Sequence, residues 1–282
     1  LEPVAVLHES RDRKWYFVQR YNYRGWTRKE GVAIAEDKSQ VFDFVNAPEF
    51  LVALGKHVHT QYNPYECRAS SLRFTMGARI PLQMDAPESV GGQSSAGSYP
   101  VRLAVRDGDG MLGFTDALIA ATEDVHVGYL KYTSANVLRQ VFKFLGDRYG
   151  WGDGFGGTDC SGTILNVYRT VGFLLPRNAD KQECVPGIKY SFGSCATMEE
   201  RDMLLLNGRP GAAIFMPGHV MMYLGCVEGQ PFMIHDFHQY GRKSGDSYEA
   251  VPVNEVAVTS AHLPMVSGKP FIDAFTSLVR FE

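Results

Sequence analysis

The sequence changes its periodicity near residue 130, and that change splits the chain into two different folding problems. Before it, short runs of β-branched and aromatic residues alternate with turn signals. Val4–Leu7, Trp15–Arg20, Tyr23–Thr27 and Val32–Ala35 predict short strands spaced as in a small barrel. A second β-rich block runs from Leu72–Thr75 and Ala78–Leu82, through a Gly/Ser loop at 91–98, to Tyr99–Val105. The turn at 107–110 then leads into Met111–Phe114. Residues 36–65 read as a connector, with an apolar run at Val41–Val45 and a short helical turn at Pro48–Leu54.

After residue 130 the period becomes helical. Asn136 is a plausible N-cap, and Val137, Val141, Phe144 and Leu145 recur at helical spacing up to Tyr149. A second helix is expected over 163–175, stopped by Pro176, and a third over Met198–Leu206, ended by Asn207-Gly208. Strand-like runs follow at 212–216, 219–225, 231–236 and 249–253. Helices followed by antiparallel strands describe an α+β domain. The expected division is a small barrel at 1–35, a connector at 36–65, a second barrel at 66–130 and an α+β domain at 131–282. The first barrel has little room for strands ahead of Trp15, so it is expected to be incomplete.

Composition excludes several classes. Hydrophobic residues make up 45% and charged residues 21%, the balance of an ordinary globular protein. Net charge is −3, with no basic stripe for nucleic acid and no polybasic cluster for a membrane surface. No apolar run is long enough to span a bilayer. The first residue is Leu1 and no export signal is visible. Five scattered cysteines, with no Cys-x-x-Cys pair, argue against a disulfide scaffold and a structural zinc site.

One of those cysteines stands apart. Cys160 sits in Thr158-Asp159-Cys160-Ser161-Gly162, between a Gly-rich loop (150–157) and an amphipathic run. This placement puts the thiol at the first turn of a helix, where unpaired N–H groups and the positive dipole end favour thiolate. Cys67, Cys184, Cys195 and Cys226 have no such setting and read as ordinary packing or surface thiols, although Cys184 and Cys195 are near enough in sequence to pair across a loop.

A cysteine nucleophile needs a base and a group that orients the base. His219 begins one predicted strand and His235 lies in the next, with Val227-Glu228-Gly229-Gln230 between them. A tight turn at Glu228-Gly229 would put His238 opposite His219, whereas a wider loop or bulge favours His235. The spacing alone leaves both open. His8, His57, His59, His126 and His262 read as solvated or packed residues. His57 and His59 share a strand face but have no third ligand. Gly91 to Ser95 carries no phosphate-loop signature, and the Asp107–Gly110 turn lacks the remaining ligands of a calcium loop.

Taken together, these motifs resemble the NlpC/P60 cysteine peptidases that carry bacterial SH3-like domains ahead of the catalytic domain. They are Tyr149-Gly150-Trp151-Gly152, Asp159-Cys160-Ser161-Gly162, Leu175-Pro176-Arg177, Gln182, Gly218-His219-Val220 and Met233-Ile234-His235. The similarity covers roughly residues 136 to 255, with the order intact. It implies a papain-like α+β catalytic domain, helices packed on an antiparallel sheet, preceded by small SH3-like β-barrels. It implies Cys160 as nucleophile, His219 as base and His235 as the orienting residue. Tyr149, Ser161, Arg177 and Asn178 fall at substrate-binding or oxyanion positions.

The expected substrates are peptidoglycan stem peptides or muropeptides, cut between D-glutamate and a diamino acid, with no metal or organic cofactor. In that subgroup a wall of the SH3-like domain recognises a free N-terminal L-alanine, and Tyr21 and Tyr23 are the aromatic hydroxyls available. A cell-envelope or secreted location is expected, with cytoplasmic recycling as the other setting. Two other readings share the residues: a non-catalytic cell-wall-binding protein, and an amidase or acyltransferase on the same core.

The chain departs from the family pattern after Leu-Pro-Arg. Asn178-Ala179 stands where an acidic or hydroxyl pair is common, so an acidic partner for a substrate ammonium is missing there.

Overall fold

The computed structural model describes residues 2–85 and 87–282, which form two compact units, 1–130 and 131–282.

In the N-terminal unit, β1 (Ala5–Glu9), β2 (Trp15–Gln19) and β3 (Arg24–Arg28) make a three-stranded antiparallel sheet in sequence order. Val32–Ala35, expected as a fourth strand, makes only a single bridge from Ile34 to Met111. Helix α1 (Lys38–Val45) starts at a capping box in which Asp37 accepts from Ser39 N–H and Gln40 reaches back. Pro48–Leu54 is not a helical turn: it holds strand β4 (Phe50–Ala53), whose Leu51, Val52 and Ala53 are fully buried. A short apolar run has no helical period to defend, and burial on both faces makes it a central strand.

Strands β5 (His57–His59), β6 (Arg73–Thr75), β7 (Arg79–Pro81), β8 (Ser89–Val90), β9 (Gln93–Ser94), β10 (Ser98–Arg106), β11 (Leu112–Ala120) and β12 (Val125–Val127) follow. β4 pairs with β7 and β12, and β5 with β6, so the stretch read as a connector contributes strands to the second β block. Leu51, Val58, Phe74, Ile80, Val101, Leu103 and Ile119 form its core.

The C-terminal unit is α+β. Helix α2 (Ser134–Val141) is capped by Thr133, three residues before the cap expected at Asn136, and it stops well short of Tyr149. Helix α3 (Cys160–Arg169) begins at the cysteine and ends before Gly172, whose φ of +90° breaks the helix ahead of Pro176. Short α4 (Ala179–Gln182), β13 (Gly187–Ser191) and α5 (Met198–Leu206) lead into β14 (Ala213–Met216), β15 (His219–Val227), β16 (Gln230–Ser244), β17 (Ser247–Ser260) and β18 (Ser277–Phe281). These strands form one six-stranded sheet in the order β13-β18-β14-β15-β16-β17, antiparallel throughout.

Helix α3 lies against β15 and β16. Its Ile164, Leu165, Val167 and Tyr168 are buried, each contributing roughly 1.5–3 kcal/mol by removing apolar surface from water. The Tyr168 hydroxyl donates to Gly211 O, so its polar end is satisfied. Helix α5 is anchored by the buried Arg201 guanidinium, which donates to the carbonyls of Ile272, Phe275 and Gly193. The helix that begins at Cys160 is therefore packed on the strands that carry His219 and His235.

Candidate active site

The loop before Cys160 is shaped by left-handed backbone. Gly152, Asp153 and Phe155 have φ of 68°, 59° and 56° within the 3-10 turn Trp151–Gly156. Asp153 tolerates that region, while an aromatic there is strained. The Asp159 carboxylate organises the whole segment. Its Oδ1 accepts from Gly162 N–H at 2.8 Å, capping α3, and its Oδ2 accepts from Gly152 N–H at 2.9 Å. Arg177 closes the arrangement from the far side with a bidentate pair to Asp159, at 3.0 and 2.7 Å, and a further ion pair to Asp153 at 3.1 Å. Ser161 Oγ accepts from Arg177 at 2.9 Å and donates to Asp159 at 3.1 Å. Gly162 is required here, because a Cβ would collide with the Asp153 carboxyl. Gln182 ties the turn after α3 to the helix start through Ser161 O (3.0 Å) and Pro176 O (2.8 Å).

Burial would by itself push the Asp159 carboxyl up. The Arg177 bonds and the Gly162 and Gly152 N–H groups outweigh it and hold the group below the usual carboxylate range. Asp153, facing the same guanidinium but also desolvated and near Asp159, is pushed the other way.

On the sheet, His219 Nε2 lies 2.8 Å from His235 Nδ1, and His235 Nε2 lies 2.9 Å from Thr259 Oγ1. The choice left open by the hairpin is thus decided. A register shift between Tyr223 and Gly225 sets the β15–β16 pairing, and His235 meets His219. His238 instead lies against Tyr149, ring centroids 4.1 Å apart and planes tilted by 52°. His235 lies flat on Phe237 at 4.1 Å with Phe271 edge-on, a dry setting that drives its imidazole well below its usual range. The backbone N–H of Val220, the residue after His219, acts on the Cys160 thiol to lower its pKa, against the larger effect of burial.

One chain of protons leaves His219 Nδ1 open as an acceptor. His219 Nε2–H donates to His235 Nδ1, and His235 Nε2–H donates to Thr259 Oγ1. Burial, followed by the nearby His238, lowers His219 to about 4. Burial pushes Cys160 up to about 11, against the pull of the Val220 and Ser161 N–H groups. The resting pair is therefore thiol and neutral imidazole. Desolvation, with the Asp159 and Asp236 charges, opposes the helix-start N–H groups that favour thiolate.

The other expected residues fall as follows. Tyr149 is part-buried, with its hydroxyl pushed up to about 12 by burial and then by Cys160, so it remains a donor. Asn178 is exposed and precedes α4 without capping it. Tyr21 and Tyr23 are exposed in the turn between β2 and β3 of the N-terminal unit. A cavity of about 550 Å³ in that unit is lined by Tyr23, Trp26, Phe44 and Phe114, and by none of the cysteine–histidine set. Cys184 and Cys195 are both free and exposed, not paired. No helix among the described residues is long and apolar enough to cross a membrane.

Thr259, Asp236 and Asn254 had no sequence signal. Asp236 is fully buried with both carboxyl oxygens lacking a hydrogen-bond partner, and burial followed by Asp159, Asp147 and Asp153 raises it to about 8.

Residues 146–258 match the NlpC/P60 family model and residues 1–28 the SH3 domain (SH3b1 type) model. No curated protein matches the chain significantly in sequence. Among solved structures, an NlpC/P60 endopeptidase from Photobacterium damselae subsp. piscicida superposes with a TM-score of 0.77 at 17% identity, covering 98% of this chain. An NlpC/P60 family protein from Bacillus cereus ATCC 10987 gives 0.66 at 19%, covering 99%. The chain spans 63% of the first of these and 79% of the second. At such identities the likeness concerns the fold. The C-terminal unit is thus similar to the NlpC/P60 family over residues 146–258, and the N-terminal end to SH3 domains of the SH3b1 type over residues 1–28.

Proposed function

We propose that this chain is a cysteine peptidase of peptidoglycan stem peptides that hydrolyses the bond between the γ-carboxyl of D-glutamate and a diamino acid. The observation that carries the reading is the His219–His235 contact of 2.8 Å on the strands against which the helix that begins at Cys160 packs. His219 Nδ1 takes the proton from Cys160, and sulfur attacks the γ-glutamyl carbonyl carbon. The oxyanion is met by the Cys160 backbone N–H and the Tyr149 hydroxyl. The amine leaves with the proton held by His219, giving a thioester. Water then attacks the thioester, with His219 as base, and the proton returns to sulfur.

His235 fixes the tautomer and plane of His219. Ser161 and Arg177 keep Asp159 on the helix N-terminus, and so hold the sulfur in place. Asn178 offers a neutral amide where an acidic group would pair with a substrate ammonium. A cell-envelope or secreted setting suits such a substrate.

The test is mass spectrometry of products from L-Ala-γ-D-Glu-diamino-acid peptides, with the parent chain and Cys160→Ala, and with free and acetylated N-termini. The reading expects a diamino acid product from the parent alone, and loss of turnover on acetylation. Parent and Cys160→Ala chains that both leave the peptides intact would mark a binding protein. Transfer to an added amine in place of water would mark an acyltransferase.

A further inference from the structure

His238 has no place in the relay from Cys160 to Thr259, yet it lies inside the site. The β16–β17 ladder breaks its register between Phe237 and Gln239, and His238 is the residue left at the break. The opposite strand carries the matching irregularity. Asn254 adopts φ of +52°, a conformation that asparagine tolerates and β-branched residues do not. The two irregular residues meet, with His238 Nδ1 2.9 Å from Asn254 Oδ1.

Asn254 also grips the loop that precedes the nucleophile, because its backbone carbonyl accepts from Tyr149 N–H at 2.9 Å. The Tyr149 ring then rests on the His238 ring, centroids 4.1 Å apart and planes tilted by 52°. A single asparagine thus holds the main chain of Tyr149 with one oxygen. With the other it fixes the imidazole on which the Tyr149 ring lies. The Tyr149 backbone bridges to Thr158, two residues before Cys160, and Gly150 N–H donates to Thr158 O at 2.7 Å, so the tyrosine sits on the strand-like stretch that runs alongside the approach to the thiol.

We infer that His238 and Asn254 are a positioning pair, which locks the Tyr149 ring so that its hydroxyl donates to the Cys160 sulfur as negative charge develops there and passes to the substrate oxyanion once the sulfur has attacked. The inference rests on the proposed function only in taking Cys160 as the nucleophile. Neither residue touches the sulfur, and both act through Tyr149.

The test reads Cys160 directly, by the rate of iodoacetamide labelling at fixed pH, followed by peptide mapping. Asn254→Gly keeps the left-handed backbone and deletes the side-chain oxygen, while His238→Gln keeps a polar side chain of similar reach. Each should slow labelling of Cys160 about tenfold, the effect of losing one hydrogen bond at the reacting atom. Asn254→Asp, which retains the acceptor, should label within about twofold of the parent. In a Tyr149→Phe background neither substitution should slow labelling further.

Equal slowing with and without the tyrosine hydroxyl would overturn the inference, as would unchanged labelling in both single variants. The outcome is separable from the peptidase reading. A chain that cleaves no γ-glutamyl peptide but shows the tyrosine-dependent labelling pattern loses the function and keeps the positioning pair.

Discussion

Replacing Arg177 by methionine would strand a buried negative charge at the start of α3. The guanidinium gives two bonds to Asp159, at 3.0 and 2.7 Å, and a third to Ser161, and it neutralises Asp153 as well. The side chains of Arg177 and Asp159 are only 18% and 9% exposed, so water screens the pair poorly. Breaking such a pair from one side costs about 3–5 kcal/mol. For a domain of this size that lowers the melting temperature by about 6–20 °C. Amide exchange along α3 localises the loss to this unit, and thermal melts give its size.

Two further outcomes follow from the sign of the charges. Asp159 is held below its unfolded value, so its contribution is full above the ordinary carboxylate range and is lost as pH falls through the folded value. The gap between parent and Arg177→Met should therefore be widest near neutrality and narrow as pH approaches about 3. Adding Asp159→Asn, which keeps a cap on Gly162, should restore part of the loss. The reasoning fails if the double variant is no more stable than the single one, or if the single variant loses less than about 1 kcal/mol at neutral pH.

Asp236 gives the opposite pH signature. Its folded value of about 8 lies above that of the unfolded chain, so folding takes up a proton and stability falls as pH rises through that window. Asp236→Asn should gain on the parent between about pH 4 and 8 in thermal melts, and a constant offset across that range would contradict the buried, protonated carboxyl. Thr259→Val should lower kcat about tenfold with little change in KM, because His235 loses the acceptor that sets its tautomer. Thr259→Ser should restore it, and failure of the serine variant would point to packing instead.

The helix that begins at Cys160 was legible because its signals are local. A glycine loop, an Asp N-cap and an apolar face all lie within one short stretch. Met198–Leu206 was readable for the same reason, with its capping box at Thr197 and Glu200. The partner of His219 was not readable, because one register shift in β15–β16 decides between two rings three residues apart. Strand β16 runs far beyond its predicted end at 236, since its outer half, 238–244, is largely polar, and β17, read only at 249–253, continues to Ser260 past the left-handed backbone of Asn254. Pro48–Leu54 misled because a four-residue buried strand and a helical turn share the same apolar composition. Thr259 and Asn254 gain meaning only from residues at least sixteen positions away.

The long β16–β17 hairpin has a mechanical consequence. Its root sits in the six-stranded sheet with His235 and Thr259, while its tip, from Arg242 to Glu249, is held by its own two strands, one ion pair and the Tyr248 ring against Gly268. Such an end opens at little cost, independently of global unfolding. The irregularity at His238 and Asn254 stands between tip and root, so the regular ladder that would join the arm to the imidazoles is interrupted there.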